Sequence, residues 1–150
     1  MFKIYKNILT KKQRQDLFKF IKKDVRKFTD EFPGLQTLNN LHLKPELKDF
    51  IKAVKKYIKP YEIWSCWAVC SMGDEISWHE HPNSKYSFVY YLHNPNEEGT
   101  MFREVKKYYD CVHYSKGAEN TLLKFDSSKT HSTPNSYKKT KRYIISFDVR

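Results

Sequence analysis

At 150 residues and a formal net charge of +11, the chain is long enough for one domain with a real core, and no apolar stretch approaches the roughly 20 residues that span a membrane. Of its 28 basic residues 23 are Lys, spread over helices and loops, and only five are Arg, the residue favoured in base and phosphate recognition; nucleic-acid binding is left open but not favoured. Three cysteines (Cys66, Cys70, Cys111) with no second close pair, and no apolar signal segment, argue against a disulfide framework or a closed Cys-rich zinc site and point to reduced thiols in a cytoplasmic protein.

Residues 2–8 read as a short strand or arm. Thr10 is a plausible N-cap for a helix from Lys11 to about Phe28, with an apolar stripe at Leu17, Phe18, Ile21, Val25 and Phe28. Residues 29–43 carry Pro33-Gly34 and Asn39-Asn40 and read as a loop. Pro45 opens a second amphipathic helix to about Ile58, with its stripe on Leu47, Phe50, Ile51, Val54, Tyr57 and Ile58. Two basic amphipathic helices can coat a membrane or nucleic acid, but packing of both stripes on a sheet is the stronger expectation.

After Pro60 the apolar period falls from about 3.6 to 2, and Gly, Pro and Asn punctuate short runs. Strands are predicted at 61–71, 76–80, 86–92, 99–103, 107–114, 120–125, 129–133 and 142–149. The expected fold is α+β: residues 61–150 form a jelly-roll core and residues 1–60 a helical support whose two helices back one sheet, in a single domain spanning 1–150.

The chemistry concentrates in Trp78-His79-Glu80-His81-Pro82-Asn83-Ser84. Residues two apart on an extended chain share a face, so His79 and His81 can aim at one metal ion while Glu80 points away. His131 follows 50 residues after His81, and Arg142 opens the apolar run Arg142-Tyr143-Ile144-Ile145-Ser146-Phe147. Histidine is the commonest ligand for mid-to-late first-row metals, and a facial array with open positions suits Fe(II) and oxygen chemistry better than closed tetrahedral zinc. His93 and His113 lack a partner at ligand spacing. Arg142 should not be buried without an anion, and a bidentate carboxylate is its natural partner. Arg142, Ile144 and Ser146 share a face, so Ser146 can donate to the same carboxylate; the competing reading pairs Arg142 with Asp126 or Asp148.

In this order, His79-x-His81-Pro82-Asn83-Ser84, Ser87-x-Val89-Tyr90-Tyr91-Leu92, Gly99-x-Met101-Phe102, Leu122-x-x-Phe125, His131 and Arg142 resemble the Fe(II)/2-oxoglutarate-dependent oxygenases. The resemblance covers residues 64–149 and is strongest to the small prolyl-hydroxylase-like branch with a His-x-His-Pro-Asn-Ser block. It implies a double-stranded β-helix, a jelly-roll or cupin-like barrel. It implies Fe(II) on His79, His81 and His131. It also implies 2-oxoglutarate as cosubstrate, its far carboxylate held by Arg142 with help from Ser87 or Ser146, and Tyr91 in the pocket. The reaction implied is hydroxylation of a C–H bond with release of succinate and carbon dioxide. The wider family has an acid where this chain has His81, which leaves open a water or Asn83 as the third ligand. It also leaves open a three-His cupin-like metal protein that does not use 2-oxoglutarate, and a basic binding module with a vestigial metal site. Among Trp64, Trp67, Trp78, Tyr90, Tyr91, Tyr108 and Tyr109, only Tyr91 is expected at the pocket, because it shares a strand face with Ser87. Residues 94–98 and 103–119 are the expected walls of a substrate entrance. The substrate, a protein, peptide or small molecule, is not identified by the sequence, and the Lys and Tyr content of those walls points only weakly to an acidic one.

Overall fold

The period-two texture after Pro60 becomes two antiparallel sheets in the computed structural model, which describes residues 1–28, 30 and 32–150. Positions 29 and 31 of the predicted loop lie outside the described residues. In chain order the strands are β1 (Phe2–Tyr5), β2 (Leu35–Gln36), β3 (Ile63–Ser71), β4 (Ile76–His79), β5 (Tyr86–His93), β6 (Met101–Val105), β7 (Asp110–Tyr114), β8 (Leu122–Asp126), β9 (His131–Thr133) and β10 (Arg142–Val149). The major sheet has the order β1-β8-β5-β10-β3-β2 and the minor sheet β4-β9-β6-β7. Among the described residues no ladder joins the two sheets, so this is a pair of facing sheets rather than a closed barrel.

Helix α1 (Lys11–Asp24) starts with a full capping box. The Thr10 hydroxyl accepts from the Gln13 N–H, and the Gln13 side chain accepts from the Thr10 N–H. The helix stops four residues short of the expected Phe28. Arg26 exchanges two backbone hydrogen bonds with Gln36, and that bridge draws the chain out of the helix and beside β2. The predicted loop 29–43 therefore contributes β2 and a 3-10 turn (Leu41–Leu43) whose Leu41 is buried. A second 3-10 turn (Pro45–Leu47) leads into α2 (Lys48–Ile58).

Alternation sorts the major sheet into two faces. Cys66, Ala68, Phe88, Tyr90, Tyr143, Ile145 and Phe147 pack against Leu17, Ile21, Phe50 and Val54 of the helices. Phe50 lies 5.1 Å from the Tyr90 ring and meets Phe147 edge-on at 6.0 Å. Both helical stripes are thus spent on the sheet, and burial of each large apolar side chain there contributes about 1.5–3 kcal/mol. The other face carries Val69, Val89, Tyr91, Leu123, Phe125 and Ile144, which close on Phe102 of the minor sheet. The space between the sheets is where the polar residues of interest converge. Cys66, Cys70 and Cys111 are all free thiols, and no helix is long and apolar enough to cross a membrane.

Candidate metal centre and its cavity

Strand register brings the first two histidines together. His79, the last residue of β4, stands directly opposite His131, the first residue of β9, a position in which Cβ atoms lie about 4.5–5.5 Å apart. His81 lies just past the end of β4 rather than on a strand. Its N–H donates to the Ser127 carbonyl at 3.0 Å, which keeps the two-residue phase and turns the imidazole back toward the others. One potential ligand atom from each of His79, His81 and His131 falls within 4.8 Å of the other two. Asn83, by contrast, is exposed in a left-handed turn at φ 76°, and Glu80 accepts a hydrogen bond from the Thr130 hydroxyl.

The second nitrogen of each ring is committed. Nδ1 of His79 donates to the Ser77 carbonyl (2.7 Å) and Nδ1 of His131 to the Lys129 carbonyl (2.8 Å). Nδ1 of His81 donates to the Asp148 carboxylate at 2.8–2.9 Å. With all three protons placed on Nδ1, the Nε2 lone pairs are left for a metal, the usual arrangement around a ligating histidine. Burial pushes the His131 pKa down to about 4, helped by its neighbours His79 and His81, and burial likewise lowers that of His79. Both rings are neutral at pH 7, as ligands must be.

This neutral state makes the metal-free protein acid-sensitive. The folded pKa of His131 is depressed, so its contribution is fully present above the ordinary value of 6.5 and is lost as pH falls from 6.5 to about 4. The effect is on the order of 3 kcal/mol. Urea denaturation of the apoprotein and of its His131→Gln variant should show a stability difference that shrinks across that window. A constant difference would mean that His131 does not titrate with folding.

The three histidines open onto a cavity of about 190 Å³ between the sheets, whose wall includes Trp67, Ile76, Thr100, Thr133, Ile144 and Ser146. Along β10, Arg142, Ile144, Ser146 and Asp148 share the face toward the minor sheet, all under 9% exposed, and Ile144 and Ser146 line the cavity. Asp148 holds the histidine end. Arg142 is not itself on the cavity wall; it lies two residues further along the same face than Ile144, which is. Its Nε and Nη2 have no hydrogen-bond partner. The Tyr91 ring lies 5.6 Å from the guanidinium, and the Tyr91 hydroxyl meets that of Thr100 at 3.0 Å. Burial works against the Arg142 charge, with Tyr91 and Glu98 offsetting part of that effect. A buried guanidinium with two unpartnered nitrogens is only partly compensated by its protein neighbours.

Several expectations are corrected here. Arg142 pairs with neither Asp126 nor Asp148: Asp126 accepts from Ser128, and Asp148 is taken by His81. Ser87 is spent on Asp148 (2.7 Å) and Ser127 (2.8 Å) rather than being free for a cosubstrate. Ser146 does line the cavity, but it is two residues from Asp148 and four from Arg142 along the strand, nearer the histidine end. Tyr91 is buried beside Arg142 and off the cavity wall. Trp67, expected in the core, is on the wall and stacks on His81 at 5.8 Å. The wall draws on neither 94–98 nor 103–119; Phe32 and Gln36, from the segment before α2, close it instead. Trp64, Trp78, Tyr108 and Tyr109 are exposed and Tyr90 faces the helices.

No protein-family model and no curated protein matches the sequence. Solved structures do match the fold. A prolyl hydroxylase from Trichoplax adhaerens, in complex with a peptide of the hypoxia-inducible factor oxygen degradation domain, superposes at TM-score 0.71 with 16% identity, over 99% of this chain and 82% of that one. HygX from Streptomyces hygroscopicus, with nickel, 2-oxoglutarate and hygromycin B bound, gives TM-score 0.78 at 8% identity over 99% and 82%. A Pseudomonas putida prolyl-4-hydroxylase gives 0.74 at 12% over 99% and 91%. The fold is a double-stranded β-helix like that of these structures, with two helices behind the major sheet.

Proposed function

We propose that this protein is an Fe(II)- and 2-oxoglutarate-dependent oxygenase that hydroxylates a C–H bond of a protein, peptide or small molecule. The observation that carries the reading is the buried Arg142 guanidinium, whose Nε and Nη2 have no hydrogen-bond partner, on the same strand face that leads to the three-histidine cluster. One strand thereby offers a cation for a carboxylate at one end and, at the other, the Asp148 carboxylate that anchors the His81 imidazole of the metal cluster, so the two recognition elements that a 2-oxo diacid requires lie along one strand face.

In this reading His79, His81 and His131 hold iron through Nε2, and Arg142 receives the far carboxylate of 2-oxoglutarate, with Tyr91 and Thr100 beside it. When bound, the iron and 2-oxoglutarate would activate dioxygen, the oxidant, one of whose oxygen atoms would enter the substrate C–H bond and the other succinate, with release of carbon dioxide. The protein binds and orients the reactants. Ser146 lines the cavity toward its histidine end and Trp67 covers His81, and with Phe32 and Ile76 it limits access of water. The Trichoplax adhaerens prolyl hydroxylase holds a peptide and HygX holds hygromycin B, so the fold accommodates both a peptide and a small molecule.

Anaerobic titration of the purified protein with Fe(II) and 2-oxoglutarate tests this. A weak visible metal-to-ligand charge-transfer band that depends on both components is the expected result. The absence of an acid ligand favours one alternative, a three-His cupin-like metal protein, and it would be recognised by iron binding without cosubstrate chelation. Binding of neither would make the histidines structural and turn attention to the basic surface as a nucleic-acid or partner-binding face.

A further inference from the structure

His81 is held differently from its two companions. His79 and His131 each give Nδ1–H to a carbonyl two residues before them, a neutral and purely local acceptor. His81 gives its proton to a carboxylate 67 residues away, on the central strand of the other sheet. That carboxylate is 5% exposed and faces Ser87 across the β5–β10 ladder. The Ser87 hydroxyl donates to Asp148 Oδ1 at 2.7 Å and meets the Ser127 hydroxyl at 2.8 Å. Ser127, fully buried, accepts the His81 backbone N–H at 3.0 Å. His81, Ser127, Ser87 and Asp148 thus form a closed ring of hydrogen bonds that grips His81 by both backbone and imidazole.

We propose that Asp148 is a positioning residue for the metal, acting through His81: it fixes the ring's tautomer and orientation and supplies, one imidazole removed, the negative charge that a three-imidazole ligand set lacks. The inference rests on the oxygenase reading above. A hydrogen-bonded carboxylate behind a ligating histidine raises its basicity and orients it. Here the acid occupies the shell behind the ligand instead of the ligand position. The geometry is specific to one histidine of three, and the seryl network that holds Asp148 leaves its two oxygens no other partner among the described residues.

The test uses Co(II), an air-stable probe, for affinity, and the anaerobic Fe(II)–2-oxoglutarate charge-transfer band for electronics. Asp148→Asn keeps size and a hydrogen-bond acceptor but removes the charge. It is expected to weaken Co(II) binding about 10–100-fold and to shift the band to higher energy, because the iron becomes less electron-rich. In a His81→Ala background the same substitution is expected to have no further effect on Co(II) affinity, since the coupling runs through that ring. Ser87→Ala keeps the charge and loosens the carboxylate by one hydrogen bond; it should weaken Co(II) binding by about 2–10-fold, and it decides the matter if Asp148→Asn does not fold. Co(II) affinity and band position unchanged in these variants, or an Asp148→Asn effect of equal size without His81, would overturn the inference while leaving the oxygenase reading intact. Failure of the parent protein to bind Co(II), or Fe(II) with 2-oxoglutarate, would overturn both.

Discussion

An Arg142→Met variant is expected to resist urea better than the parent apoprotein and to bind 2-oxoglutarate at least about 30-fold more weakly. The two effects have opposite signs because one feature causes both. Arg142 is 4% exposed, and two of its guanidinium nitrogens have no partner. Withdrawing an ion from water carries a penalty of several kcal/mol even after relaxation, and here Tyr91 and the field of Glu98 offset part of it. Methionine has similar length, needs no hydrogen bonds and fills irregular space, so a gain of about 1–3 kcal/mol in apoprotein stability is expected. When a carboxylate arrives, the balance reverses. Truncating one side of a buried, hydrogen-bonded charge pair typically costs about 2–5 kcal/mol, which is roughly 30- to several-thousand-fold in affinity. Iron binding alone should be spared, since Arg142 touches none of the three histidines. The checks are urea midpoints without ligand and anaerobic titration of 2-oxoglutarate in the presence of Fe(II). Adding excess 2-oxoglutarate to the Fe(II)-loaded protein should also raise the Tm of the parent further and leave that of the Fe(II)-loaded variant nearly unmoved. Unchanged cosubstrate affinity would remove Arg142 from the site, and a destabilised apoprotein would show that its charge is satisfied in the folded state.

The same strand shows how far the site was legible in the sequence. Alternation alone placed Arg142, Ile144 and Ser146 on one face, and the structure agrees. Carried one step further it reaches Asp148, yet sequence offered no reason to join that acid to His81 rather than to Arg142, because the choice depends on which end of β10 lies beneath β4. The register of β10 against β5 settles it: Ser87 falls opposite Asp148 and captures it. Ser87 was legible as an inward-facing hydroxyl for the same reason, but not its partner. Trp67 was misassigned because an aromatic residue in a strand usually packs in the core; what distinguishes it is contact with His81, a tertiary fact. The end of α1 and the two-residue strand β2 were illegible in a stronger sense. Val25 and Phe28 continue the helical stripe, and only the long-range Arg26–Gln36 bridge overrides it. That override matters for function, since it carries Phe32 and Gln36 to the cavity wall. The two-helix support, the inter-sheet core and the His-x-His spacing were readable because each rests on local periodicity.

Replacement of His131 by alanine is expected to lower Fe(II) affinity by a factor on the order of 10²–10³ while leaving the fold in place. Structural metal sites of four ligands bind with roughly 10–16 kcal/mol, or about 2.5–4 kcal/mol per ligand, and each 1.4 kcal/mol is a factor of ten. The cluster of candidate ligand atoms contains these three imidazoles alone among the described residues, so no neighbouring side chain takes the vacated position. His131 is also the most enclosed of the three. Its ring meets Phe125 edge-on at 4.6 Å, and its Nδ1 satisfies the Lys129 carbonyl. Alanine leaves that carbonyl without its partner and a void beside Phe125, which should cost about 1–3 kcal/mol of apoprotein stability. Against this, the variant no longer has to keep a buried imidazole neutral, so the loss should be smaller at pH 5 than at pH 7. Far-ultraviolet circular dichroism and a urea midpoint establish folding, and an anaerobic Fe(II) titration reads the site. A folded variant with the parent's Fe(II) affinity would place the metal elsewhere. A folded variant that has lost the metal yet binds a nucleic acid or protein partner as the parent does would assign that binding to the Lys-rich surface, separate from the cavity between the sheets.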